Sequence, residues 1–332
     1  MTTRAGAAPL PGPSRPRQRP PLVRTVVLGL SRTRPVRHLV TRTGLFRPVV
    51  NRFIAGETPN DAVTAVADLH ARGLLATVDL LGEATVSDVL ARQAALGYHT
   101  ILEALSRRGL HSHVSVKLSQ LGLDLSLDTA ETWLREIVAH AQTTPTFVRV
   151  DMEDSGRLVA TQRVFDSVWD TGARNLGIAL QAYFYRTPDD ARRFAARGVS
   201  IRLCKGAYAE PQDLAYARKR DVDDAFVRLM DELLGSESHL AIATHDERLI
   251  DQAKAIAAAR NVAIDRYEFQ MLYGIRRDLQ ELLVRQGYRV RVYVPFGAQW
   301  YPYFMRRLAE RPANVLFLAR HLIRRSPRPK DG

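Results

Sequence analysis

The stretch Gly73-Leu74-Leu75-Ala76-Thr77-Val78-Asp79-Leu80-Leu81-Gly82-Glu83 is a short β-rich run that closes on polar residues, and behind it Val86 to Arg107 repeats its apolar side chains at helical spacing. The couplet recurs along the chain. Strands are predicted at Leu75 to Asp79, Val114 to Leu118, Phe147 to Met152, Gly177 to Tyr183, Ser200 to Leu203, Leu240 to Ala243, Tyr267 to Gln270 and Val290 to Val294. Helices are predicted after them at Val86 to Arg107, Thr129 to Ala141, Arg157 to Thr171, Pro188 to Arg197, Asp221 to Leu234, Glu247 to Ala259, Arg276 to Gln286 and Gln299 to Glu310. Strict alternation over about 240 residues indicates an α/β protein with a parallel sheet, and eight couplets indicate closure into a (βα)8 barrel of TIM type. A doubly wound open sheet is the alternative, weakened because no GxGxxG follows any strand.

Upstream, Thr58 is a good N-cap, Pro59 takes the first helical position, and Ala62, Val63, Val66 and Leu69 make one face, which predicts a helix reaching Arg72. Leu22 to Phe53 mixes apolar residues with arginine at helical spacing, so one or two short helices are expected on the outside of the barrel. Residues 1–21 hold Pro9, Pro11, Pro13, Pro16, Pro20 and Pro21 with little apolar material, the composition of a disordered tail. The expected division is a basic tail over 1–21, N-terminal helices over 22–72, a catalytic barrel over 73–325 and a second tail over 326–332.

With 332 residues, 46% of them hydrophobic, the chain can bury one large core. A single cysteine, Cys204, excludes an internal disulfide framework and fits a reducing compartment, so the cytoplasm is the expected location. No apolar run approaches the roughly 20 residues of a membrane span. The net charge of +13 is concentrated at the start, with eleven arginines and no acidic residue between Met1 and Arg52. Such an arm attracts anionic surfaces, and two readings stand: a solvated segment without a dedicated partner, or a peripheral contact at the inner face of a membrane. A non-catalytic nucleic-acid-binding protein is a third, supported by charge alone, because no nucleic-acid motif is recognisable.

In such barrels the strand ends facing the following helices form the active mouth. The predicted ends carry Asp79 to Glu83, Lys117-Leu118-Ser119, Asp151-Met152-Glu153-Asp154, Gln181, Arg202 to Tyr208, Thr244-His245-Asp246, Glu268-Phe269-Gln270 and Arg291-Val292-Tyr293. Singly, each has a plain structural reading. A strand-end cation is commonly a surface ion pair, and Asp151-to-Asp154 or Thr244-His245-Asp246 could simply start a helix. Convergence on one rim favours a site. Cations with backbone amides at Gly206 and Ala207 suit a pyrophosphate, while a forked arginine from Arg306-Arg307 suits a carboxylate, although neighbouring helix positions diverge by about 100°. No HExxH, CxxC or GxSxG occurs, so neither a metal centre nor a serine nucleophile is expected, and Cys204 reads as buried filler.

Asp79-Leu80-Leu81-Gly82-Glu83, Val116-Lys117-Leu118-Ser119, Arg202-Leu203-Cys204-Lys205-Gly206-Ala207-Tyr208, Ala243-Thr244-His245, Tyr267-Glu268-Phe269-Gln270-Met271-Leu272-Tyr273-Gly274, and Val292-Tyr293-Val294-Pro295-Phe296-Gly297 followed by Tyr303-Phe304-Met305-Arg306-Arg307 together resemble proline dehydrogenase, over about Phe53 to Arg320. The resemblance implies a distorted (βα)8 barrel that holds FAD non-covalently, oxidises L-proline to Δ1-pyrroline-5-carboxylate by hydride transfer from proline C5 to flavin N5, and passes electrons to a quinone. It also implies roles. Lys117, Arg306 and Arg307 hold the proline carboxylate, with Glu83 steadying the arginines. Tyr208, Tyr293 and Tyr303 wall the pyrrolidine ring, and Asp151 and Arg202 are the active-site pair, Arg202 near N5. Met152, Gln181, Lys205, Gly206, Ala207, Thr244 and His245 join Arg202 in contacting FAD. Tyr293 tilts the expected substrate toward proline and away from hydroxyproline or another cyclic imino acid. Ala209 stands where the larger bifunctional relatives carry tryptophan, and the chain is too short for their aldehyde dehydrogenase domain, so only the first oxidation is expected.

Overall fold

The computed structural model describes His38, residues 47–82 and residues 84–310. The predicted tails at 1–21 and 326–332, the rest of 22–46, Glu83 and residues 311–325 lie outside the described residues.

Eight parallel strands close into a barrel in sequence order: β1 Leu75–Leu80, β2 His113–Val116, β3 Val148–Val150, β4 Leu176–Gln181, β5 Ser200–Cys204, β6 Leu240–Ala243, β7 Tyr267–Leu272 and β8 Val290–Phe296, which pairs back onto β1. The described helices are α1 Arg47–Phe53, α2 Pro59–Ala71, α3 Asp88–Arg107, α4 Leu127–Thr143, α5 Ser155–Trp169, α6 Thr187–Ala195, α7 Lys219–Leu234, α8 Glu247–Ala259, α9 Arg277–Arg285 and α10 Trp300–Glu310. Five of these starts are chemically marked. Thr58 and Asp61 form a reciprocal capping box on α2, and Ser87, Ser126, Asp154 and Asp246 each accept a backbone N–H at the head of α3, α4, α5 and α8. After α2 the chain reverses at Gly73, whose φ of +72° a side-chain-bearing residue would adopt only with strain.

β2 and β3 are shorter than their apolar patterns predict. Leu118 and Met152 remain buried past the last ladder position, so the hydrophobic signal outlasts the pairing. Lys117 and Asp151 consequently sit one residue beyond their strands.

Side chains alternate between two different interiors. Valine, isoleucine and leucine of the strands, such as Val78, Val116, Val150, Ile178, Ile201, Ile242 and Val292, join the helices in one apolar core. The opposite parity faces the lumen, as contacts between non-adjacent strands require: Arg202 on β5 reaches Ser115 on β2, and Tyr293 on β8 reaches Asp151 after β3. That lumen is polar. In its floor Arg291 grips Glu268 through Nε and Nη2 at 2.7 and 3.0 Å and donates Nη1 to the Ala76 carbonyl at 2.8 Å. Arg149, also buried, donates to the Ser200 and Ile178 carbonyls and to Ser200 Oγ. Strands of an all-parallel sheet usually read as continuous apolar runs, and this charged lumen is why these alternate instead.

The closure departs from simple repetition at one seam. α2 packs against both β8 and β1, with Ala62, Val63, Val66 and Leu69 in the main core. α10 joins α1 in a second cluster: Trp300, Tyr301, Tyr303, Phe304 and Met305 pack with Val49, Val50, Phe53 and Ile54, over Leu81 just past β1. Trp300 Nε1 donates to Glu57 at 2.9 Å, and Ala55 N to the Pro295 carbonyl at 2.9 Å, fastening this cluster to the end of β8. The last of the described helices is thereby carried to the mouth end of the barrel.

Candidate active site

Six strands deliver one hydrogen-bonded group to the lumen above the charged floor. Asp151 Oδ1 accepts from Arg202 Nη1 at 2.5 Å, and its Oδ2 accepts from the Tyr293 hydroxyl at 2.8 Å. Lys117 Nζ donates to Asp79 Oδ1 at 2.7 Å and to the Tyr293 oxygen at 3.3 Å, and stands 3.7 Å from Asp151 Oδ2. Arg202 also donates to Ser115 Oγ at 3.0 Å and through Nε to Gln270 Oε1 at 2.5 Å.

Electrostatics sets the protonation states. Burial works against the Lys117 ammonium, but the charges of Asp79 and Asp151 outweigh it and hold the lysine protonated well above its usual range. Burial, then Asp151 and Asp79, push the Tyr293 phenol up, so it stays a donor. Two polar atoms, one at the end of β4 and one within β5, are buried with no hydrogen-bond partner: Gln181 Oε1 and Arg202 Nη2. On the other face of its amide, Gln181 Nε2 donates to the Met152 carbonyl at 3.4 Å.

The turn after β5 is built for close approach. Gly206 has φ +111°, and a Cβ there would lie 2.5 Å from the Tyr183 ring. Ala207 and Tyr208 beyond it are exposed. Lys205 is ion-paired, with Nζ 2.6 Å from Asp223 and 3.6 Å from Asp246, carboxylates that Lys219 shares. Thr244 Oγ1 accepts from Asp246 N at 3.2 Å, and His245 Nε2 accepts from Leu272 N at 2.9 Å, which requires an unprotonated Nε2.

On α10, Tyr303 is buried in the second cluster with the Arg307 guanidinium 5.3 Å from its ring centre, and Arg306 is exposed. Tyr208, whose phenol is raised by burial and then by Glu153, feels the opposing charges of Lys117 and Arg306, so α10 overlooks the same mouth. Glu83, the predicted partner of the arginines, lies outside the described residues.

Some strand-end expectations are corrected. Glu268 and Arg291 do not reach the mouth: in the register Arg291 is level with Leu75, the first residue of β1, two positions below Tyr293. Glu153 is buried and accepts from Ser119 N and Oγ at 3.0 and 2.6 Å, and Asp154 caps α5. Cys204 donates weakly to the Leu180 carbonyl, and burial pushes its thiol up to about 12, an inert state. Sequence reading overlooked Ser115 and Arg149. Strand parity was the available signal, since Arg149 lies two residues before Asp151 and Ser115 two before Lys117. Among the described residues no cluster of histidine, cysteine or carboxylate could hold a metal ion, and no helix is long and apolar enough to cross a membrane.

Comparison with known proteins agrees with this architecture. The sequence model of the proline dehydrogenase family matches residues 62–320. Proline dehydrogenase 1 of Bacillus subtilis is 38% identical over 304 residues, covering 92% of this chain and 100% of that protein. Proline dehydrogenase of Deinococcus radiodurans is 40% identical over 284 residues, 83% of this chain and 90% of that one. Among solved structures, proline utilization A from Bdellovibrio bacteriovorus inactivated by N-propargylglycine superposes with a TM-score of 0.76 at 25% identity, over 91% of this chain and 39% of that longer one. With an eight-stranded barrel, a mouth assembled from the ends of its strands and relatives matched over nearly their whole length, this chain belongs to the proline dehydrogenase family.

Proposed function

We propose that this protein is an FAD-dependent oxidoreductase that converts L-proline to Δ1-pyrroline-5-carboxylate and gives its electrons to a quinone. The observation that carries the reading is the mouth itself, where Lys117, Asp151, Arg202 and Tyr293 form one hydrogen-bonded group beside two buried polar atoms without protein partners.

Those two atoms fit a flavin. Arg202 Nη2 can only donate and Gln181 Oε1 can only accept, on adjacent strands, and an isoalloxazine edge alternates acceptors with an N–H donor. Met152, Thr244 and His245 would complete the ring and adenine contacts, while Lys205 and the backbone at Gly206 and Ala207 would take the pyrophosphate. When bound, the flavin supplies the two-electron acceptor for the hydride leaving proline C5.

The chain's own residues do the placing. Lys117, Arg306 and Arg307 hold the substrate carboxylate, Glu83 balances the arginines, and Tyr208, Tyr293 and Tyr303 enclose the ring. A carboxylate clamped by fixed cations confines the imino acid to one reactive orientation, an effect worth several kcal/mol. Arg202, oriented by Asp151, puts a fixed positive charge where negative charge accumulates as the hydride departs. The Arg-rich start of the chain is the segment we assign to an anionic membrane surface.

Purified protein should be yellow and should bleach on anaerobic addition of proline. A colourless preparation, or one bleached by hydroxyproline and not by proline, overturns the assignment. Unchanged vesicle binding at low salt after deletion of residues 1–21 removes the membrane role of the tail.

A further inference from the structure

Arg202 is held at two of its three corners by groups of different kinds. Nη1 serves Asp151 and Ser115, Nε serves Gln270 Oε1, and Nη2 has no protein partner. Behind Gln270, its Nε2 donates to Glu268 Oε1 at 2.6 Å, and Glu268 is in turn gripped by Arg291. A line of hydrogen bonds thus runs from the charged floor to the mouth.

The chemistry of the line leaves Gln270 one orientation. An arginine N–H can donate and never accept, and an ionised carboxylate can accept and never donate. Only an amide with its carbonyl toward Arg202 and its NH2 toward Glu268 satisfies both neighbours; the flipped amide would set donor against donor and acceptor against acceptor. Glu268, Gln270 and Arg202 are all buried, at 1%, 4% and 5% exposure, so no solvent relieves a wrong choice. The proximity of Arg291, prevailing over burial, keeps the Glu268 carboxyl ionised.

We propose that Glu268 is a positioning residue for the redox site: through the locked amide of Gln270 it sets the tilt of the Arg202 guanidinium, and so the direction in which Nη2 meets the flavin edge. The inference rests on the flavin reading given above. It assigns Glu268 a role beyond pairing with Arg291.

The full-length holoenzyme provides the test, with sulfite as the probe because it adds at flavin N5 and reports the positive charge there without turnover. In Glu268→Gln the new amide tolerates either orientation of Gln270, so the amide is held from the Arg202 end alone, and Gln270→Met removes the line with no change of charge. Both should weaken sulfite binding and lower kcat for proline by about tenfold or more, the effect of one lost hydrogen bond to a charged group, with KM within about twofold. Leu134→Ala opens a cavity in the apolar core against α4, away from the lumen; it should lower the melting temperature and leave sulfite affinity and kcat within about twofold of wild type. If Glu268→Gln does not fold, Gln270→Met decides. Wild-type sulfite affinity and kcat in Gln270→Met, or an equal loss in Leu134→Ala, overturns the proposal while leaving the flavin reading intact. A wild-type protein that carries no flavin overturns both.

Discussion

Replacing Arg291 with methionine isolates the energetic weight of the charged floor. Arg291 is 3% exposed, its partner Glu268 is 0% exposed at the side chain, and its Nη1 also satisfies the Ala76 carbonyl. Arg291→Met therefore strands a buried carboxylate and leaves a backbone acceptor without its donor. Breaking a buried pair on one side costs about 3–5 kcal/mol, and the lost carbonyl bond about 1 kcal/mol more. At about 2 °C per kcal/mol for a chain of this size, the melting temperature should fall by about 8–12 °C at neutral pH. Uncompensated charge, more than lost packing, is the cause, so adding Glu268→Leu should restore most of the stability. The pH dependence gives a second signature. In the wild type, burial raises the Glu268 carboxyl but Arg291 overcomes this and holds it well below the usual carboxylate range, so the pair's contribution is present above the unfolded value and lost as pH falls through the folded one. Without Arg291 burial prevails, the carboxyl takes up its proton sooner, and the variant's deficit should shrink between about pH 7 and about pH 5. Melting followed by circular dichroism at several pH values reads both effects. A midpoint within about 2 °C of wild type, or a double variant no better than the single one, refutes the reasoning.

Tyr293→Phe removes one oxygen that donates to Asp151 and contacts Lys117; a hydrogen bond to a charged group is worth about 1.5–3 kcal/mol, so steady-state kcat/KM for proline should drop by about ten- to a hundredfold. Gly206→Ala combines a positive φ with a collision against Tyr183, and flavin content after dialysis should fall while the far-ultraviolet spectrum stays native. Burial lowers His239 to about 4, so the unfolded chain takes up the proton first, and stability should decline as pH falls from about 6.5 to about 4. Discounted for partial exposure, the loss is about 2 kcal/mol, and His239→Gln should flatten that acid limb in denaturant titrations at constant temperature.

The eightfold alternation was legible because each unit carries a short apolar run with an amphipathic stretch behind it, and several add a cap such as Ser87, Ser126 or Asp154. Strand parity was legible too, since Val148-Arg149-Val150-Asp151 alternates as one apolar and one polar face must. The residues of the mouth could be named as strand-end polar groups, but their partners could not. Lys117 meets Asp79 across 38 residues, and Arg202 meets Gln270 across 68, separations that local pattern does not encode.

By itself the sequence determined the order and type of the elements, the closure of eight repeats, and which parity of each strand would be polar. Height in the barrel was decided only by the tertiary structure. Closing a sheet tilts and staggers its strands, so residues that look equally terminal in sequence fall in different layers: Tyr293 opposite Asp151 at the mouth, Arg291 and Glu268 two residues lower in the floor. The displacement of α10 to the mouth likewise followed from α2 occupying the β8–β1 seam, a competition for one apolar surface that neither segment's own residues reveal.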